Sequence, residues 1–212
     1  MIIHYIWIGG EIPHKYRTNI DICTKLNPGY QVILWRDKDI DRLLMDCVEE
    51  VRELYYKPRN FINKYATIKY QVLSKYGGVY TDLDIKWKTP FTKIQQIHNP
   101  ANDKALILSY GSYRKYILNG VNRRVVDDPF IISNIPNLMG RCIEYRKERG
   151  KEKERIDELT NEVHEVEPIG ILLLNEWLYN NNIPFVAFDQ EGYLDGRGYY
   201  GDHEAAATWL TR

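Results

Sequence analysis

The chain has 212 residues, 44% hydrophobic, 27% charged and 13% aromatic, which suits a folded chain with one sizeable core and excludes a disordered tail. Its 29 Lys and Arg balance 29 Asp and Glu, so the basic surface of a general nucleic-acid binder is excluded. Three cysteines without a C-x-x-C spacing (Cys23, Cys47, Cys142) argue against a disulfide framework or a zinc knuckle and for a reducing compartment.

The opening MIIHYIWIGGEIP is apolar for too short a stretch to span a bilayer and lacks a basic leader region. The expectation is therefore a cytoplasmic protein without a transmembrane segment. Residues 2–8 form an apolar run closed by Gly9-Gly10, the pattern of a buried strand ending in a tight turn. Residues 13–26 read as a helix stopped by Asn27-Pro28-Gly29, and Tyr30–Trp35 as a second buried strand. Strand, helix, strand at this spacing is a βαβ unit and favours a parallel sheet. Residues 38–56 are predicted helical, with Leu43, Leu44, Cys47, Val51 and Leu54 on one side.

A largely buried helix is expected from about Asn60 to Tyr76, ended by Gly77-Gly78. A strand VYTDLDI follows at 79–85, and further strands at 104–110 and 129–133. A helix resumes at 138–149. The charged stretch 144–167 reads as a solvated helical face, 169–180 as another helix and 183–188 as a last strand, before a tail rich in Gly, Tyr and Asp. No repeat or composition break divides the chain, so one α/β domain is expected, with a mostly parallel sheet flanked by helices. Tyrosine is over-represented, at 17 residues against five Phe and five Trp. A ring with a hydroxyl suits sites for sugars and nucleotides, and an AT-rich coding sequence produces the same excess.

The chemistry concentrates in Tyr76-Gly77-Gly78-Val79-Tyr80-Thr81-Asp82-Leu83-Asp84. If this is one strand, alternation turns Asp82 and Asp84 to the same side, roughly 6–7 Å apart. Two like charges that close, at the end of a buried strand, require a positive partner. A hard divalent cation, Mn²⁺ or Mg²⁺, suits carboxylate oxygens. An isolated D-x-D is commonly a pair of surface aspartates. Here the preceding helix and Gly-Gly turn place it at the carboxyl end of a strand, where open α/β sheets bind ligands.

Three motifs together resemble a known family: H-x-x-W-I-G-G at 4–10, N-P-G-Y-x-x-x-L-W at 27–35 and K-Y-x-x-L-x-x-x-G-G-x-Y-x-D-x-D at 69–84. The combination is similar to the sugar-transferring domain with a DXD motif, the group that includes glycosyltransferase family 32 and the clostridial glucosylating toxins. The resemblance implies a single GT-A domain over 1–212, with a nucleotide-binding part at about 1–91 and an acceptor and C-terminal part at about 92–212. The compact size also fits a module excised from a longer viral or bacterial glycan-building polypeptide.

By the same resemblance, His4, Trp7 and Gly9 belong to the strand and loop that grip the nucleotide base. Tyr80 packs near the ribose, Asp82 contacts ribose and donor sugar, and Asp84 binds the metal. The family's usual S-D-x-x-R-Y is Tyr65-Ala66-Thr67-Ile68-Lys69-Tyr70 here. Lys69 keeps the charge of the arginine without its fork, and Ala66 lacks the usual sugar-holding aspartate, which leaves the donor sugar open. His203 and Trp209 match a terminal H-x-x-x-x-S-W segment, implying a further metal ligand and a phosphate contact. Asp128, in Asp127-Asp128-Pro129, falls where the family has an asparagine and is a candidate for the reacting sugar or an acceptor hydroxyl, and for a base if the reaction inverts. An Asp-Pro pair is also an ordinary turn signal.

The implied activity is metal-dependent transfer of a hexose or deoxyhexose from a nucleotide-sugar, UDP-linked in first place and GDP-linked in second, to a glycan, a glycoprotein or another hydroxyl acceptor, with retention. Two other classes use similar residues. A metal-dependent phosphohydrolase needs more clustered carboxylates, and a non-catalytic sugar- or nucleotide-binding module has no need of a metal pair.

Overall fold

A computed structural model describes residues 1–58, 61–118, 121–149, 155–156, 163–164, 171–189, 193–194 and 198–204. Strand β1 (Ile2–Ile6) lies between β2 (Gln31–Trp35) and β3 (Gly78–Thr81), parallel to both. On the far side of β3, β6 (Val121–Ser133) and β5 (Leu106–Leu118) form a long antiparallel hairpin, and β9 (Phe185–Asp189) closes that edge parallel to β5. The order is β2-β1-β3-β6-β5-β9. Three of its five pairings are parallel and two, both made by β6, are antiparallel.

Period-two alternation sorts the strand residues into two cores. Ile6, Ile8, Tyr80, Leu106, Leu108 and Ile131 face one side. There α2 (Asp37–Met45), α3 (Glu49–Tyr56), α4 (Phe61–Tyr76), α6 (Leu138–Arg149) and α7 (Ile171–Asn180) cover them. Ile3, Tyr5, Trp7, Val79, Ile107, Phe130 and Ile132 face the other side, under α1 (His14–Leu26) and α5 (Phe91–His98). Covering both faces explains why the central strands read as unbroken apolar runs. A small second sheet joins β4 (Ile85–Trp87) to β10 (Gly201–His203), antiparallel. It is anchored by Tyr200, which is buried against Tyr193 and Phe188 and shares a 2.7 Å hydrogen bond with His98 Nε2.

Four expectations change. Residues 38–56 form two helices, because the chain turns extended at Val48, and Glu49 and Glu50 then start α3 with favourable charge at a helix N-terminus. Leu43 and Leu44 of α2, Cys47 in the link, and Val51 and Leu54 of α3 all stay buried in one core, so the apolar side runs through the break. The strands expected at 104–110 and 129–133 extend into a hairpin of 13 residues a side. Its outer part is polar and shows no apolar run by which sequence could mark it. Past Arg149 the described residues of the charged stretch are strand, β7 (Arg155–Ile156) pairing with β8 (Val163–His164); the rest of 150–167 lies outside the described residues. Finally, residues 79–85 are not one strand: β3 ends at Thr81 and β4 starts at Ile85. None of the helices among the described residues is long and apolar enough to cross a membrane.

The Gly77-Gly78 corner is required sterically. Both residues have positive φ (61° and 94°), and a Cβ on Gly78 would lie 2.4 Å from the Ile2 carbonyl oxygen. Replacing Gly78 by alanine is therefore expected to lower unfolding free energy by about 2 kcal/mol or more, read from urea denaturation. Alanine at Gly29, where an added Cβ meets nothing within 4 Å, should stay within about 0.5 kcal/mol of the parent.

Candidate functional site

The carboxyl ends of β1, β2 and β3 lie on one edge of the sheet, as their parallel pairing requires. Here the chain leaves the main sheet for the small one, and Asp82-Leu83-Asp84 makes the crossing. Each part of this turn is held from a different element. The Asp82 amide donates to the Pro129 carbonyl at 2.7 Å, and the Asn19 amide group of α1 donates to the Leu83 carbonyl at 2.9 Å. Leu83 is buried, and Trp87 Nε1 donates to Thr81 Oγ1 at 3.0 Å, tying the strands on either side of the turn. The aspartates face a common space because of this turn, not because of strand alternation.

β10 supplies a third group. His203 pairs with Ile85 in register, and its amide donates to the Leu194 carbonyl at 2.6 Å. Its Nε2 lies 3.6 Å from Asp84 Oδ1. One ligand atom from each of Asp82, Asp84 and His203 falls within 4.8 Å of the others. The neighbours of His203 are clamped as well: Asp202 pairs with Lys88 at 2.5 Å and Glu204 with Lys15 at 2.7 Å. Two carboxylates and an imidazole, partly shielded from solvent, fit a divalent cation, and the nitrogen donor suits Mn²⁺ better than Mg²⁺.

Helix α4 lines the same edge. The ammonium group of Lys69, itself buried, sits 4.6 Å from the centre of the Tyr80 ring, a cation–π contact. The Tyr80 hydroxyl donates to Asp82 Oδ1 at 2.5 Å. One turn earlier on α4, the Tyr65 hydroxyl accepts from the Ile8 amide at 3.3 Å. One helix face therefore connects the loop after β1 to the aspartate turn.

The other predicted residues fall in several places. Gly9 lies in that loop, with φ 86°. Trp7 is buried against Tyr16, and its Nε1 donates to the Gly10 carbonyl at 3.0 Å. Asp128 lies within β6, beside the Pro129 that receives the Asp82 amide; the turn expected before residue 129 is strand instead. Trp209 lies outside the described residues. None of the sequence motifs includes Asn19, Arg36 or Asp37, although all three brace this edge; Tyr65, which stands at the serine of the S-D-x-x-R-Y counterpart, braces it too. Arg36 and Asp37 are marked in the sequence only by their place directly after a strand, and Tyr65 by lying one helical turn from Lys69; Asn19, within α1, carries no such signal.

His4 lies within β1, the strand that leads to the Gly9 loop, with its side chain turned into the protein. It is fully buried, Nδ1 accepts from Trp35 Nε1 at 3.1 Å, and Nε2 bonds the Gly77 carbonyl at 2.9 Å. Nε2 therefore carries the proton, and both nitrogens are used inside the protein, joining β2 and the Gly-Gly corner through β1. Burial lowers its pKa from 6.5 to about 4. The folded chain keeps His4 neutral, whereas the unfolded chain protonates it near 6.5. Its contribution is thus complete above pH 6.5 and is lost as pH falls towards 4, by up to about 3 kcal/mol. Unfolding free energy measured between pH 6.5 and 5 should fall less steeply in His4→Gln than in the parent; equal slopes would exclude His4 as the source.

Residues 13–102 match the family model described as a glycosyltransferase sugar-binding region containing DXD motif. Inositol phosphoceramide mannosyltransferase 1 of Schizosaccharomyces pombe is 32% identical over 92 residues, covering 42% of this chain and 29% of that protein. An uncharacterized glycosyltransferase of Acanthamoeba polyphaga mimivirus is 36% identical over 87 residues, covering 40% of this chain and 35% of that one. The solved structure titled PaToxG Glycosyltransferase aligns with a TM-score of 0.49 at 18% identity, covering 85% of this chain and 69% of its own. The chain thus spans no more than 35% of the length of these two curated relatives. Over residues 13–102, which hold the second and third of its motifs, it is similar to the sugar-binding region of DXD-motif glycosyltransferases.

Proposed function

We propose that this chain is a metal-dependent glycosyltransferase that moves a hexose or deoxyhexose from a nucleotide-sugar to a hydroxyl acceptor. The observation that carries the reading is the meeting of Asp82, Asp84 and His203 at the carboxyl edge of the sheet, the edge where open α/β folds bind ligands. The match to a DXD sugar-binding region gives that edge its substrate class. UDP-sugars remain first among donors and GDP-sugars second. Mannose is the sugar to test first, because the fission-yeast relative is named a mannosyltransferase. The reading treats 1–212 as one working unit, with donor binding in about 1–91 and acceptor binding beyond, since His203 from the second part completes the group of the first.

Asp84 and His203 hold the cation in this reading, and Asp82 reaches both cation and donor. A bound Mn²⁺ or Mg²⁺ supplies Lewis-acid neutralisation of the charge that develops on the departing diphosphate. The Tyr80 hydroxyl fixes the rotamer of Asp82, and Lys69 adds positive potential behind the ring. The backbone of Gly9 and Gly10 forms the wall for the base. The acceptor oxygen then bonds to the anomeric carbon as the bond from that carbon to the phosphate oxygen breaks. With retention, that departing oxygen takes the acceptor proton; Asp128 is the residue proposed to hold the acceptor hydroxyl.

Release of nucleotide from a panel of UDP- and GDP-sugars, with Mn²⁺ or with EDTA, tests the proposal. Manganese-dependent release from one donor is expected, with Asp84→Ala lowering it by about 100-fold or more while the fold persists. Full turnover in Asp84→Ala would overturn the metal assignment. Absence of both release and metal-dependent nucleotide binding would overturn the transferase.

A further inference from the structure

The loop after β1 is held in place largely by Arg36 and Asp37, which none of the motifs marks. The Gly9 amide donates to both carboxylate oxygens of Asp37, at 3.0 and 3.2 Å. Arg36 Nη2 donates to the carbonyls of Gly9 at 3.1 Å and Gly10 at 2.8 Å. The Trp7 amide donates to the Trp35 carbonyl at 3.0 Å, and the Ile8 amide to Tyr65. Three consecutive amides and two consecutive carbonyls are thus satisfied by the protein itself. Two of the bracing side chains, Arg36 and Asp37, sit where β2 passes into α2. On its outer side the loop is open, for a Cβ on Gly10 would meet nothing within 4 Å.

A glycine loop left to itself samples many conformations, and ordering it on binding would reduce affinity. Four side-chain bonds from one oppositely charged, adjacent pair remove that cost before any ligand arrives. We infer that Arg36 and Asp37 are positioning residues that preform the Gly9-Gly10 wall and so set affinity for the nucleoside diphosphate. The inference rests on the proposed nucleotide-sugar reading. It also separates two edges of one site: Asp82, Asp84 and His203 act on the diphosphate, whereas Arg36 and Asp37 act through backbone on the nucleoside side. Because they touch no reacting atom, their loss changes binding more than turnover.

Calorimetric titration of the full chain with UDP and with GDP, in Mn²⁺, tests this. Asp37→Ala is expected to weaken nucleotide binding on the order of tenfold and to raise KM with kcat nearly unchanged. Asp37→Asn, which keeps an acceptor for the Gly9 amide, should restore most of the affinity. Hydrogen exchange of the parent should show the Gly9 amide protected without nucleotide, a measurement that stands even if Asp37→Ala does not fold. Parental affinity in a folded Asp37→Ala, or a Gly9 amide protected only after nucleotide is added, would overturn the inference and leave the transferase reading intact. A parent chain that binds neither nucleotide would overturn that reading and this inference with it.

Discussion

The organisation of this protein depends on the crossing at Asp82–Asp84, where the chain passes from the six-stranded sheet to the two-stranded one. A strand that continued straight would carry the two carboxylates outward on one face and leave them to repel in solvent. The crossing folds them into a turn whose backbone is held by Pro129, Asn19 and Glu204. Repulsion between the carboxylates is thus borne by contacts from three separate parts of the chain. The small sheet exists at this place because β4 needs a partner, and the partner it takes, β10, brings His203 to Asp84.

The two cores do different work around that crossing. The side carrying α2, α3, α4, α6 and α7 supplies polar reach: Lys69 to Tyr80, Tyr80 to Asp82 and Tyr65 to the Ile8 amide. A buried ammonium is expensive to desolvate, and the face of Tyr80 offsets part of that cost. The opposite side is an aromatic wall. Trp87, Phe91 and Phe130 pack with ring centres 4.8 to 5.3 Å apart, so the strand leaving the aspartate turn is fixed by rigid apolar surface. Flexibility is removed from below the site, and adjustable polar groups act from above.

His4 shows how a residue in a recognisable motif serves a role that its type does not announce. The resemblance places His4 in the strand that leads to the base-gripping loop, and within that strand both its nitrogens are spent on Trp35 and Gly77. The loop it precedes is braced by Arg36 and Asp37, which carry no motif. The strand at 79–85 is similar: the two aspartates are legible as a pair, and the reason they converge is not, because a turn between two sheets and a continuous strand share the same local pattern.

Legible in the sequence alone were the buried strands as apolar runs, the Gly-Gly corner, the aspartate pair and the family resemblance over the first part of the chain. Each of these is local, a matter of side-chain period, backbone conformation or spacing along a few turns. The resemblance also named His203; only the tertiary structure decided that β6 runs antiparallel beside β3, that α2 and α3 are separate, and that pairing of β10 with β4 is what carries His203 to Asp84. Those outcomes depend on hydrogen-bond partners far apart in the chain, such as Ile85 with His203 and Gly9 with Asp37. No local propensity encodes which distant amide will find which carbonyl; packing of the two cores settles it, and the site forms where they close.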